Sequence, residues 1–571
     1  MKFIFRYLRP YAGRMSVGFL IKFVGTIMDL CLPRILAYVI DHVMPAGSIN
    51  QVLWWGGVML LCSVMAVITN IWANRMASVV ARDTTRRIRY DLFRKIAYLT
   101  NRQVDTFTIP SLISRMTSDT YNIHQMVGMM QRIGVRAPIL LIGGILITLT
   151  LDPMLTLVLV STLPFMVIVT AVITKKGIPL FRQSQEAADS MVRVVRENAS
   201  GIRVIKALSK SEDEKKHFDS VSSKVVQADR KANVTMAGIS PMMNLLLNAG
   251  LALVVLVGAV RVNAGLGRVG EIVAFLSYFT IILNAVMILP RIFTIYTKSA
   301  ASANRISEVM DAQQEMEVQE QTQAAEGDDH ITFEHVSFSY NKMEDNLTDI
   351  HFSLKRGETL GIIGPTGAGK STIAQLLLRF YDVDSGAISI AGQDIRTMDM
   401  GQLREKFGVV FQNDILFENT IEENIRFGRP IEKSGLEIAA RYAQAAEFIA
   451  DRDGYDSGLN IKGANLSGGQ KQRILIARAL AGNPEILILD DSSSALDYKT
   501  DASLRNDIRT YFCDTTTILI AQRVSSVMRC DHILVLDDGR MAGYGTHQEL
   551  MESCELYREI EHIQMGGANR E

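Results

Sequence analysis

Six stretches of this chain are long and apolar enough to cross a lipid bilayer, and no other feature restricts its fold as tightly. A bilayer core takes about 20 residues as helix. Residues 15–40, 53–81, 126–150, 153–176, 238–262 and 271–297 meet that length, although none is free of polar side chains. Lipid offers no water to backbone polar groups, so each stretch is expected as a helix that satisfies them internally. Ahead of the first span, Phe3, Ile4, Tyr7 and Leu8 interleave with Lys2, Arg6 and Arg9, which reads as an interfacial helix. The N-terminus lacks a small-residue cleavage site after a short apolar core, so the first span is expected to be retained. At 571 residues and 48% hydrophobic composition, the chain exceeds one core and leans to the membrane class.

The net charge is zero, but it is unevenly spread. Residues 1–325 carry 35 Lys and Arg against 21 Asp and Glu, and the remainder carries 25 against 39. The basic residues lie between apolar spans, which suits positive cytoplasmic loops better than a nucleic-acid surface. Loops 82–125 and 177–237 are long and basic-rich, and with both termini they are expected on the cytoplasmic side. The loop at 41–52 has no Lys or Arg, and the one at Asp152 is only a few residues long; Arg261 and Arg268 in the fifth loop break the pattern. Few Pro or Gly interrupt the long loops, so the spans are expected to continue as helices beyond the membrane. Cys31, Cys62, Cys513, Cys530 and Cys554 are odd in number and lack metal-ligand spacing, and they read as free thiols.

Past a transmembrane domain at 1–298 and a polar linker at 299–330, residues 331–571 change character. Ile331–Phe338 alternates as a half-buried strand, and Leu360–Ile363, Ile486–Leu489 and Ile518–Ile520 are short apolar runs of buried strands. The expected fold is therefore a six-span helical bundle with long helical cytoplasmic loops, fused to an α/β P-loop nucleotide-binding domain. Gly364-Pro-Thr366-Gly367-Ala368-Gly369-Lys370-Ser371-Thr372 follows an apolar strand and opens a helix. Its glycines let backbone N–H groups curl around phosphates, and the helix start adds positive potential. Lys370 is expected to reach the β- and γ-phosphates and Ser371 to hold Mg²⁺. The loop by itself establishes only that a nucleoside triphosphate binds.

Further motifs follow in order. Leu466-Ser467-Gly468-Gly469-Gln470 lies well after the P-loop, Ile486-Leu-Ile-Leu-Asp490-Asp491 ends a strand in two acids, and Ser494-Ala-Leu-Asp497 comes next. With Gln412 and Tyr340, this set resembles the ATP-binding-cassette family, and the layout of the whole chain resembles its exporter branch. The resemblance implies that Tyr340 stacks on adenine, and that Ser371, Gln412 and Asp490 hold Mg²⁺. It also implies that two cassettes pair head to tail around ATP, with Ser467, Gly468 and Gly469 serving the partner's site, and that Gln470 and Asp497 bind nucleotide. The stretches Phe107–Asp119, Gly201–Leu208 and Phe417–Asn424 are similar to the family's coupling elements.

Two residues depart from the family pattern. Asp491 stands where Glu is usual, and Gln522 stands where the switch His is expected. One missing methylene withdraws the carboxylate, and Gln cannot carry a proton at neutral pH. Lys462 stands near where an acid often precedes the signature. Poor hydrolytic residues beside an intact signature resemble the degenerate-site subunit of bacterial heterodimeric multidrug exporters. That implies a second half-transporter bearing Glu and His, a bacterial inner or plasma membrane, and an amphiphilic small-molecule cargo, drug-like or lipid. A homodimer, a regulatory ATP-binding subunit and an ATP-gated channel are the alternatives. Within the spans, Asp29 is balanced between a cavity acid and a partner of a bundle arginine, and Asn248 and Asn284 are expected to bond between helices.

Overall fold

The computed structural model describes residues 1–313, 316, 318, 319, 329–492 and 494–565. They divide into two compact units, Met1–Ala97 with Pro110–Ala312, and Tyr98–Ile109 with Gln313–Glu571. Residues 314, 315, 317 and 320–328 of the expected linker lie outside the described residues.

Six long apolar helices build the first unit: α1 (Lys2–Val43), α2 (Ile49–Ala97), α3 (Ile109–Leu151), α4 (Pro153–Ser200), α5 (Ser211–Asn263) and α6 (Val269–Met310). Each contains one expected span, and the helices do run on through the long basic loops, α2 to Ala97 and α4 to Ser200. Leu53, Trp54, Leu60 and Trp72 on α2, with Leu157, Phe165 and Val167 on α4, face outward. Such a surface is stable against lipid and not against water. Inside, helices approach through small residues, as at Gly250, where an added Cβ would run into the Phe279 ring. A wide π-turn at Met130–Gly134 precedes Pro138 in α3. The proline ring crowds the carbonyl four residues back, here Gly134, and the wide turn makes that room.

Polar groups tie the bundle together. Asp152 caps the start of α4, accepting from the backbone N–H of Met154 (2.8 Å) and Leu155 (3.2 Å), and it also pairs with Arg261 of α5 at 2.7 Å. Arg136 donates to Asp29 at 2.9 Å, so of the two readings of Asp29 the structure realises the structural pair. Several expectations give way. Asn248 donates to the Asn244 carbonyl of its own helix rather than across helices, because the carbonyl one turn back is within reach. Phe3, Ile4 and Tyr7 are buried, and the Tyr7 hydroxyl donates to Asp91 of α2 at 2.8 Å; the supposed interfacial face is a packing face. Helix α6 continues through the expected boundary at 298 to Met310, since its buried Ser299, Ser302, Ala303, Ile306 and Val309 keep helical spacing. Asp119, expected in a coupling loop, is buried in the bundle against Ser302 (2.9 Å) and Arg305.

Two sheets form the second unit. A four-stranded antiparallel sheet has the order β2-β1-β4-β5, from β1 (Ile331–Phe338), β2 (Leu347–Leu354), β4 (Ser385–Ile390) and β5 (Gln393–Asp394). The six-stranded sheet has the order β10-β9-β3-β8-β7-β6, from β3 (Thr359–Ile363), β6 (Phe407–Val410), β7 (Ile486–Asp490), β8 (Thr516–Ile520), β9 (His532–Asp537) and β10 (Arg540–Gly545). Its strands are parallel except β10, and β7 and β8 are buried throughout. Burial on both faces explains their unbroken apolar runs. Helix α7 (Lys370–Leu377) follows β3, and α8 (Gly468–Leu480) precedes β7.

Candidate functional site

Parallel strands present their carboxyl ends on one edge, where open α/β sheets bind ligands. Here β3 leads into the P-loop, β8 into Gln522, β7 into Asp490 and Asp491, and β6 into Gln412. One turn of topology therefore gathers residues drawn from across the unit.

The P-loop is bent by backbone that only glycine adopts readily. Gly367 and Gly369 have φ of 90° and 91°. A Cβ on Gly369 would come within 2.7 Å of Leu347 Cδ2, whereas one on Gly367 would meet nothing within 4 Å, because that side opens on the cradle. The Lys370 ammonium donates to the carbonyls of Gly364 (2.9 Å) and Pro365 (2.7 Å). Burial pulls its pKa down, against the charges of Asp490 and Asp491. Asp490 is buried, and burial pushes its carboxyl up; the Ser371 hydroxyl, which donates to it, pulls back, and Asp491 adds to the rise. Ser371, Gln412 and Asp490 line one cavity of about 480 Å³. Thr366 is exposed, and Ala368 and Thr372 are buried under the loop.

Tyr340 lies beside this cradle. Its hydroxyl donates to Gln375 Oε1 (2.8 Å) and lies 3.2 Å from Thr372 Oγ1, and its ring meets Tyr381 at right angles with centroids 5.1 Å apart. Asp491 and Gln522, the two unusual residues, touch: Gln522 Nε2 donates to Asp491 Oδ2 at 3.2 Å. Asp491 sits at φ 50°, a left-handed conformation that Asp tolerates better than most residues. Ser467 and Gly468 are exposed and lie outside the cavity lining. The Ser467 hydroxyl caps α8 by accepting from the Gln470 N–H (3.3 Å), and the Gln470 side chain accepts in return from the Ser467 N–H (3.1 Å). Asp497 caps the helix that follows it through Thr500, whose N–H and hydroxyl hold its carboxyl below the ordinary range.

Three residues that sequence reasoning passed over are part of this arrangement. Gln472 donates to the Asp491 carbonyl (3.2 Å) and accepts from the Ala495 N–H (3.1 Å), fixing the turn after β7 to α8. Tyr381 donates to Asp105 at 2.6 Å, and Asp105 lines the same cavity as Gln412. Gln472 had one available signal, its place two residues after the signature; Tyr381 and Asp105 had none.

Residues 15–286 match the transmembrane region of ABC transporters, and residues 347–494 match the ABC transporter family. Over 565 residues, 98% of either chain, the protein is 35% identical to the ABC transporter ATP-binding protein YfiB of Bacillus subtilis. The chain belongs to the ABC transporters. Its likeness to YknU of the same organism is 30% over 570 residues, covering 98% of this transporter and 96% of YknU. Among solved structures, a bacterial Atm1-family ABC exporter with ATP bound superposes with a TM-score of 0.81 at 27% identity, covering 98% of both chains. The transporter is thus an integral membrane exporter of the ATP-hydrolysing cassette type.

Its site suits Mg²⁺-ATP. A desolvated ammonium beside an open glycine cradle is relieved by phosphate. A buried carboxyl bonded to a serine hydroxyl, with an amide oxygen in the same cavity, is a set of hard oxygen donors for Mg²⁺.

Proposed function

We propose that this transporter is one half of a heterodimeric exporter, holding ATP on its own Walker motifs with little hydrolysis and completing the active site of a different partner chain. The contact between Gln522 and Asp491 carries this reading. A water-activating carboxylate works when it reaches the water and can pass its proton on. Asp491 is a methylene short of Glu, its oxygen is engaged by an amide, and that amide has no proton to exchange at neutral pH. The pair holds itself still rather than turning over.

Lys370 and the P-loop N–H groups would bind the phosphates, and Ser371, Gln412 and Asp490 would hold Mg²⁺. Mg²⁺-ATP supplies the hydrolysable phosphoanhydride and the negative charge that draws two cassettes together. Tyr340 would cover the adenine. Ser467, Gly468, Gly469 and Gln470, with Asp497, would close over the partner's nucleotide; the start of α8 favours an anion there. The cargo is read as an amphiphilic small molecule, taken from or through membrane lipid. The spread of positive charge supports a cytoplasmic cassette and cytoplasmic termini in a bacterial inner membrane.

ATPase measured on the chain purified alone is expected to be near background, and Asp491→Glu combined with Gln522→His should raise it on the order of tenfold to a hundredfold. Robust turnover by the unaltered chain would favour a homodimer and discard the heterodimer. A double variant as slow as the parent would discard the account of the weak site.

A further inference from the structure

A second cluster of coordinating side chains lies away from the nucleotide cradle, on the outer face of the antiparallel sheet. His335, Asp349 and His351 each offer a ligand atom, and these atoms all lie within 4.8 Å of one another. The geometry points to a binding site for a divalent transition ion of the zinc type, held by the imidazoles of His335 and His351 and the carboxylate of Asp349.

The strand pairing assembles the three residues. Phe333 pairs with Phe352 and Val336 with Ile350, and the register shifts between Phe333 and Val336 and again between Val336 and Phe338. The first shift sets two residues of β1, His335 among them, against His351 of the edge strand β2. The second falls beside Asp349. An unbroken ladder would place side chains alternately on the two faces; the bulges re-aim them. Phe333, Val336, Ile350 and Phe352 all stay buried in the core, while His335, Asp349 and His351 all turn out together. Both bulged ligand positions take left-handed backbone, His335 at φ 47° and Asp349 at φ 55°.

The Nδ1 of His351 lies 3.1 Å from the Asp349 carbonyl, which can only accept, so in that bond the ring donates through Nδ1 and leaves Nε2 for an ion. A backbone carbonyl behind the imidazole is the usual support of a metal-bound histidine. His335 Nδ1 faces Asp349 Oδ1 at 2.5 Å, and the two imidazole centroids are 5.2 Å apart. Nitrogen and carboxylate ligands about 2 Å from the metal suit zinc, and copper and nickel compete for the same donors. Three protein ligands on an exposed face leave a coordination position to water. An ion there cross-links β1 to β2, the two strands joined by the loop that carries Tyr340.

The test uses the full-length chain in detergent, purified without a polyhistidine tag, stripped with a chelator and titrated with Zn²⁺ against a chromophoric competitor. One equivalent of micromolar affinity is expected. His335→Ala and His351→Ala should each weaken it at least tenfold, while His562→Ala, remote in sequence and also exposed, should not. Unchanged binding of a fluorescent ATP analogue by the same samples shows that the variants are folded. Absence of a micromolar equivalent in the parent chain, or its full retention by either cluster variant, overturns the site.

Discussion

Asp490 and Lys370 illustrate how this transporter sets up a site by burying opposite charges near one another. Burial raises the Asp490 carboxyl and lowers the Lys370 ammonium, so each is held in a state that a ligand of opposite sign relieves. The sign of the pH effect follows. Mg²⁺ needs the ionised carboxylate, and a raised pKa means that acid protonates Asp490 before it reaches exposed aspartates. Mg²⁺-nucleotide affinity, measured by equilibrium binding of a fluorescent analogue, is expected to fall as pH drops through the raised value, while Mg²⁺-free nucleotide binding holds over the same range. Equal acid sensitivity of the two would remove Asp490 from the metal role. The P-loop, Asp490 and Asp491 were legible in the sequence because each follows a short apolar run that can only be a buried strand. The bond between Asp491 and Gln522 was not, since their strands are neighbours only after β7 and β8 pair.

At the level of elements, the six helices were legible from length and hydropathy, and their ends were not. Helix α6 passes its expected limit because a helical stripe of small and apolar residues persists after the lipid-length segment is complete. The burial of Asp119 was not legible in the sequence, because its partners Ser302 and Arg305 lie far along the chain. The pair of Asp152 with Arg261 has a measurable consequence. Asp152 is buried and Arg261 only partly so, so Arg261→Ala strands a carboxylate and should cost up to about 3 kcal/mol. Asp152→Asn added to it should recover part of that loss, since the amide still caps α4 without a charge to bury. Thermal unfolding of the two variants in detergent checks the order; a double variant less stable than the single one would contradict it.

For the whole molecule, the family assignment and the order of membrane domain and cassette were legible because the motifs come in sequence and each has a fixed chemical task. Lys370→Ala is expected to weaken ATP binding, read with a fluorescent analogue, while the protein still inserts in the membrane. The C-terminal unit itself was less legible, for it is discontinuous: Tyr98–Ile109, encoded between α2 and α3, folds with residues from Gln313 onward. Within that unit Gln103 donates to the Gln313 carbonyl at 2.6 Å and Asp105 receives the Tyr381 hydroxyl. During synthesis the ribosome releases Asp105 with 276 residues still to be made before Tyr381 emerges. The early segment waits for partners made long after it, Gln313 first and Tyr381 later. A polypeptide starting at Gln313 would be born without its missing piece, and its refolding should improve when a peptide spanning 98–109 is supplied in trans.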